Sequence, residues 1–176
     1  MKNAVLEKPL MDSLERNDFS KKYLAYDSGT PQSTVSDHTK GKQPVDIVKA
    51  IDYSESLQDS RFNLEVAYMF FGTISAMTGD KYQSNPLALD ILQQKESNER
   101  KAKKDKALET LTLKSGEFNQ DDKDILFDYA SEYLDEIMVE TTMLVSLLDI
   151  CGKNLMEAVQ SRMGYWTEKG YMRKEG

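Results

Sequence analysis

The sequence predicts an all-α protein: a helical bundle of about four to five helices behind a polar, partly disordered N-terminal arm. Three observations predict it. Apolar residues recur at helical spacing through Leu126, Ala130, Leu134, Ile137, Thr141, Leu144 and Leu148. Helix punctuation stands beside such stretches, with Asn119 and Asn154 as candidate N-caps and glycines just past apolar runs. Alternation of the strand kind is confined to one brief segment, LETLTL, where a small hairpin around Ser115-Gly116 is the competing reading.

Taken in order, residues 1–43 read as the flexible arm and residues 44–176 as the helical domain. The arm offers a short amphipathic helix from Pro9 to Tyr26, with Leu10, Leu14 and Leu24 among its apolar positions. It then runs into DSGTPQSTVSDHTKGKQP, rich in turn formers and poor in apolar residues. His38, the only histidine, falls in that stretch and is expected to be solvated.

Pro44 suits the first turn of the next helix, which carries Val45, Ile47, Val48 and Ile51. The segment after it places Phe62, Val66, Met69, Phe70, Thr73, Ile74 and Met77 on one wide face, with Gly79 as its C-terminal cap. Glu65 is the only acid between Asp59 and Asp80. It reads either as a solvent-facing residue or as a metal-binding carboxylate of a helix bundle.

A turn at Asn85-Pro86 opens a short helix. A nearly all-charged connector follows, either an exposed helical extension or a mobile link. Its five bases between Lys95 and Lys104 have acids interleaved and no aromatic residue, so a solvated face is favoured over a nucleic-acid patch. Asp121 and Asp122 then open one long helix, where carboxylates favour the positive end of the helix dipole. After Glu140 this helix is apolar nearly all round, which predicts a buried second half and makes Glu140 costly unless paired or metal-bound. A break at Gly152 and a last helix with Leu155, Ala158, Val159 and Met163 inward complete the chain.

The chain has 176 residues, 39% hydrophobic and 30% charged, with a formal net charge of −7. That length supports a real core. The acidic balance argues against phosphate-backbone binding as the main activity, so nucleic acid is not the expected partner. Cys151 is the only cysteine, which excludes an intramolecular disulfide and makes a reducing cytoplasm the default expectation. The N-terminus lacks the apolar core of a signal peptide, and no apolar run reaches about 18 residues, so no membrane association is expected.

The glycines form no phosphate-cradling motif, one His leaves little room for a Ser-His or Cys-His system, and one Cys excludes a cysteine zinc site. Oxygen ligation by carboxylates remains, of the kind that Mg²⁺ accepts. Glu132, Glu136 and Glu140 recur every fourth residue on one helix. In the tail Arg162, Lys169 and Arg173 are mixed with Tyr165, Trp166 and Tyr171. Such a cluster could neutralise phosphates and stack on a base, or be a basic C-terminus docked by its aromatics.

The segment from Leu147 to Arg173 resembles the C-terminal part of the MazG-like all-α nucleotide pyrophosphohydrolases. The residues that carry the resemblance are Asp149, Gly152, Leu155 with Glu157-Ala158-Val159, Arg162, and the aromatic and basic stretch from Tyr165 to Arg173. The match spans less than a quarter of the chain. It implies an all-α fold, a homodimer, Mg²⁺ as cofactor and a nucleoside triphosphate as substrate. The family's ExxE and ExxD metal motifs are not reproduced. The ExxD position falls on residues 139–142, where Glu140 stands one place off, and the ExxE helix offers only Glu65. A rebuilt site would use Glu65, Glu136 and Glu140 for metal and Arg162, Lys169 and Arg173 for phosphate.

Two functions are therefore carried forward. One is a non-catalytic acidic helical protein that binds a protein partner, as an inhibitor or phage-type accessory factor on a MazG-like scaffold. The other is a Mg²⁺-dependent nucleoside triphosphate pyrophosphohydrolase.

Overall fold

Capping residues set the ends of the helices, and their buried faces set how they group. The computed structural model of the chain describes residues 3–114 and 117–173. In chain order the elements are β1 (Asn3–Ala4), α1 (Glu7–Arg16), α2 (Lys21–Asp27), α3 (Gln32–His38), β2 (Val45–Asp46), α4 (Ile47–Leu57), α5 (Ser60–Phe71), α6 (Pro86–Thr110), α7 (Gln120–Ile150) and α8 (Leu155–Glu168). The fold is all-α, as expected, but with eight helices among the described residues in place of about four to five; the strands among them are one antiparallel pair with Asn3 opposite Asp46 and Ala4 opposite Val45. No helix among the described residues is long and apolar enough to cross a membrane. The chain divides into two units: residues up to Ser75 together with those from Leu148 onward, and Ala76–Leu147. This division replaces the expected boundary at residue 43.

The first unit corrects the reading of residues 1–43 as a flexible arm. From residue 3 onward that stretch is folded and supplies much of the unit's core. Leu6, Leu10 and Leu14 recur every fourth residue and are buried with Leu24, Ala25 and Val35 against Val45, Ala50, Tyr53, Leu57, Phe62, Val66 and Phe70. Each fully buried leucine contributes about 1.5–3 kcal/mol of transfer free energy. The apolar residues are few, but each short helix aims its own at one centre, which average composition does not reveal.

The single helix expected from Pro9 to Tyr26 is two. It breaks at Asn17, and Asp18 takes a left-handed φ of 52°. Ser20 restarts the chain by accepting from the Tyr23 N–H at 3.0 Å. Pro9 sits in the first turn of α1, where its missing donor costs nothing.

His38 is also corrected. It is buried at the end of α3, and its Nδ1 lies 2.8 Å from the hydroxyl of the fully buried Tyr53. Burial lowers the His38 pKa below its usual 6.5, against the raising effect of Asp37 and Asp46. Burial pushes the Tyr53 phenol up to about 12.

Asp59 joins the first helices to α5. Its Oδ1 accepts from the Arg61 and Phe62 N–H groups as the N-cap of α5. Its Oδ2 takes Arg16 Nη2 at 2.8 Å, Arg16 Nε at 3.1 Å and Asn17 Nδ2 at 3.2 Å. Burial alone would raise this carboxyl; the hydrogen bonds from Ser13 and Arg16 outweigh it, and its pKa lies below the usual value. The helix α5 ends at Gly72, which takes φ 72° as its C-cap, and not at Gly79. Thr73, Ile74 and Met77 therefore lie beyond the helix and do not share its face.

In the second unit the charged connector is the body of α6, continuous from Asn85, which caps it by accepting from the Ala88 N–H at 3.0 Å. Ser115-Gly116, the centre of the expected hairpin, lies outside the described residues. The long helix and its successor stand where the sequence places them. Gly152 takes φ 63° between them, and Asn154 and Glu157 close a reciprocal capping box on α8. Two expectations hold only in part. The second half of α7 is buried on one side, at Val139, Thr142, Val145 and Ser146, while Leu144, Leu147 and Ile150 are exposed. The helix α8 buries none of its residues fully.

Two measurements check this account. Leu10→Ala empties part of the core of the first unit and is expected to cost about 2–5 kcal/mol in denaturant unfolding; a neutral result would restore the flexible arm. An unfolded imidazole binds a proton near 6.5 and the folded His38 only below that. Its contribution to stability is therefore full above 6.5 and is lost as the pH falls toward the folded value. The wild-type urea midpoint is expected to drop as the pH is lowered from 8 through that range, and His38→Gln to lack this drop.

Candidate functional site

The second unit is built on α6 and α7, and their facing sides are polar. Glu136 of α7 is buried; it accepts from Arg100 Nε in a close ion pair and from Gln93 Nε2 at 3.1 Å. Gln93 Nε2 also donates to Glu140 Oε1 at 3.1 Å. One turn away, Lys103 Nζ meets Glu132 at 2.6 Å. The partners ascend α6 as 93, 100 and 103 while they descend α7 as 140, 136 and 132, so the helices run antiparallel. Arg100 also lies 4.4 Å from the ring centroid of Tyr133.

Burial by itself would raise the Glu136 carboxyl; hydrogen bonds from Arg100 and Ser97 outweigh it and hold the pKa below the ordinary glutamate value. Ser97, Thr110, Thr142 and Ser146 are buried with it. Thr142 Oγ1 accepts from the Met77 N–H at 2.8 Å, and Ser146 Oγ donates to the Ser84 carbonyl at 2.9 Å. The inward side of α7 is thus occupied by acids and hydroxyls, with Val139 and Val145 the buried apolar residues of the helix.

Several of the larger apolar residues of α7 are left on its outer side. Phe127, Ala130, Leu134, Ile137, Thr141 and Leu144 follow one another at intervals of three and four, the spacing of a coiled-coil seam. Phe127 is 71% exposed, Leu134 50%, Ile137 38% and Leu144 45%, against 5% for Val139 on the other side. Such a row is unlike the scattered surface apolar residues of an ordinary monomer.

The sequence-predicted site residues are placed as follows. Glu136 and Glu140 are brought together by Gln93. Glu65 belongs to the first unit, half-buried on α5. Burial raises its pKa, opposed by Arg16. No group of three or more His, Cys, Asp or Glu among the described residues could hold a metal ion. Glu136 and Glu140 are thus a pair of acids with no third carboxylate, histidine or cysteine gathered beside them among the described residues. Glu140 is not the costly buried acid expected; it is exposed and hydrogen-bonded.

Of the phosphate candidates, Arg162 and Lys169 both approach the Tyr165 ring, at 4.2 and 5.8 Å from its centroid. Arg173 is exposed beyond the end of α8.

The first unit also holds a cleft of about 620 Å³ beside the starts of α5 and α8, bordered by Arg16, Asp59, Asp149, Lys153 and Glu157. Its charges face each other: Arg16 with Asp59 at 2.8 Å, Arg61 with Asp149 at 3.6 Å, and Lys153 with Glu157 at 3.8 Å. The Leu155 N–H donates to Ser60 Oγ at 2.8 Å, so the start of α8 is tied to the start of α5. Its border carries two bases and three acids, with Arg61 behind Asp149, so the cleft offers no strong charge to select a ligand class.

Gln93, Arg100 and Lys103 were not among the sequence-predicted site residues. Their signal is helical spacing inside the charged connector, where 93, 96, 100, 103 and 107 fall on one face.

Comparison with family models, with curated proteins and with solved structures gives no match for this chain.

The facing polar side predicts a coupling that a charge exchange measures. Arg100→Glu and Glu136→Arg are each expected to lower the urea midpoint, and the two together to recover most of the loss. Additive losses would mean that the pair does not set the register of the two helices.

Proposed function

We propose that this chain is a non-catalytic, acidic α-helical protein that binds a protein partner, and that the outer face of α7 is where the partner docks. The observation that carries the proposal is the exposed apolar row from Phe127 to Leu144. In water such a row is stabilised by being covered, and three-and-four spacing is what a second helix covers. The acids that a pyrophosphohydrolase would need support the same reading. Glu136 is held by Arg100 and Gln93, and Glu140 shares Gln93 with it. Each therefore has a structural partner before any metal is invoked.

The enzymatic reading keeps one observation, the approach of Arg162 and Lys169 to Tyr165. Those cations are three and four residues from the ring, Arg162 on α8 and Lys169 at its C-cap, an arrangement that local spacing alone produces.

The test compares turnover with capture. With Mg²⁺ or Mn²⁺ and each of the four nucleoside triphosphates, pyrophosphate release is expected to equal that of a blank without protein. Immobilised wild-type protein is expected to retain a partner from an extract of its native host at defined stoichiometry, and Leu134→Ser/Ile137→Ser to lose it. Because both side chains are exposed, this variant should keep its unfolding free energy within about 0.5 kcal/mol per substitution. Metal-dependent release of pyrophosphate that Glu136→Gln or Glu140→Gln removes would overturn the proposal in favour of the enzyme.

A further inference from the structure

The charge around the exposed row narrows what covers it. The helix α7 carries nine acids and one base, Lys123. The acids next to the row are Asp124 and Glu140, at the two positions that flank a coiled-coil seam, and Asp128 and Asp135 lie one step further round. Two of the bases that face α7 from α6 are engaged: Arg100 with Glu136, and Lys103 with Glu132 and, at 4.0 Å, Asp128. Lys101 and Lys104 also act on α7, at Glu136 and Tyr129. These contacts lie on the polar side of the helix, away from Leu134 and Ile137. The outer face is therefore an apolar stripe in a field of negative charge.

Resting on the proposed docking role of α7, we infer that its occupant is a basic amphipathic helix of another protein: an apolar seam of Leu-like residues flanked by Lys and Arg. The row from Phe127 to Leu144 spans about 26 Å at the helical rise of 1.5 Å per residue, so it accommodates about five turns of a partner helix. Apolar contact along the seam supplies the area. Lysines and arginines at the partner's flanking positions meet Asp124 and Glu140 and reach Asp128 and Asp135.

A second copy of this chain is the competing occupant, and electrostatics disfavours it. Two α7 helices brought together place nine acids against nine with one lysine from each. The chain as a whole carries −7, so self-association works against the net charge at every approach. Opposite charge at the flanks also speeds the encounter with a basic partner, an effect that salt weakens.

The experiment uses the full chain and two synthetic helical peptides of 21 residues, labelled with fluorescein and read by anisotropy. Both have Leu at the seam positions; one has Lys and Arg at the flanking positions, the other Glu. Sedimentation velocity of the free protein runs alongside.

The expected result is saturable binding of the basic peptide, tighter than the acidic one by at least about tenfold, a factor that corresponds to 1.4 kcal/mol. Leu134→Ser/Ile137→Ser should weaken it by at least about tenfold, and Asp124→Asn/Glu140→Gln severalfold. Val48→Ser, which alters an exposed apolar residue of α4, should leave it unchanged. That control separates seam binding from general attraction of a basic peptide to an acidic protein.

Equal binding of both peptides would overturn the basic occupant and leave α7 as a docking face. A free protein that sediments as a dimer, and as a monomer after Leu134→Ser/Ile137→Ser, would replace the basic helix with a second copy. Binding of neither peptide by a monomeric protein would overturn both the inference and the docking role on which it rests.

Discussion

The partly buried ion pair between Arg100 and Glu136 is the constraint on which the second unit depends. A carboxylate out of water is costly unless it is matched and hydrogen-bonded. Here Arg100 and Gln93 match it. Matching it commits α7 to one rotation about its axis. Glu132 and Glu136 point at α6, and Leu134 and Ile137, close to them in sequence, must then point away. The apolar exposure of α7 and the ion pairs beneath it are two consequences of one rotation. A helix pair held by polar contacts leaves part of its apolar surface uncovered.

The first unit follows another logic. Its helices are short, and each is too short to be stable alone in water. They are held by a shared apolar centre and by a few polar ties that span long stretches of chain. Asp59 joins Arg16 and Asn17 to the start of α5, and Ser60 takes the first N–H of α8. His38 and Tyr53 join α3 to α4. This unit uses its polar groups to fasten its own elements, and the cleft beside the starts of α5 and α8 is lined largely by paired charges. The exposed apolar row on which the docking proposal rests belongs to the other unit.

The parts legible in the sequence were those set by neighbours along the chain. Apolar periodicity gave the all-α class, and the Asn154 cap and Gly152 break placed α7 and α8, because capping acts over three or four residues. What could not be read depended on distant partners. Residues 1–43 looked too polar to fold, since only the assembled unit shows that Leu6, Leu10, Leu24 and Val35 meet one centre with Tyr53 and Phe62. His38 looked solvated because Tyr53, fifteen residues on, was not visible as its partner. Gly72 and Gly79 are equally good helix stops by identity, and the chain turns at the first. For α7 the apolar residues were found correctly and assigned to the wrong side. Periodicity measures that a stripe exists; it does not say which stripe faces the protein. The partner that decides it, Arg100, lies 36 residues away in a connector that composition marked as solvent-exposed.

The orientation of α7 is the central claim, and thiol accessibility tests it most directly. In a Cys151→Ser background, Leu134→Cys and Val139→Cys place one thiol on each side of the helix. The rate of reaction with a soluble aromatic disulfide is then measured under native conditions. The account predicts that position 134 reacts within about tenfold of the unfolded protein, and that position 139 reacts at least about a hundredfold more slowly, through local opening. Protection at 134 with fast reaction at 139 would contradict it. The acids of α7 would then face solvent and its apolar row the interior, and the exposed seam would not exist.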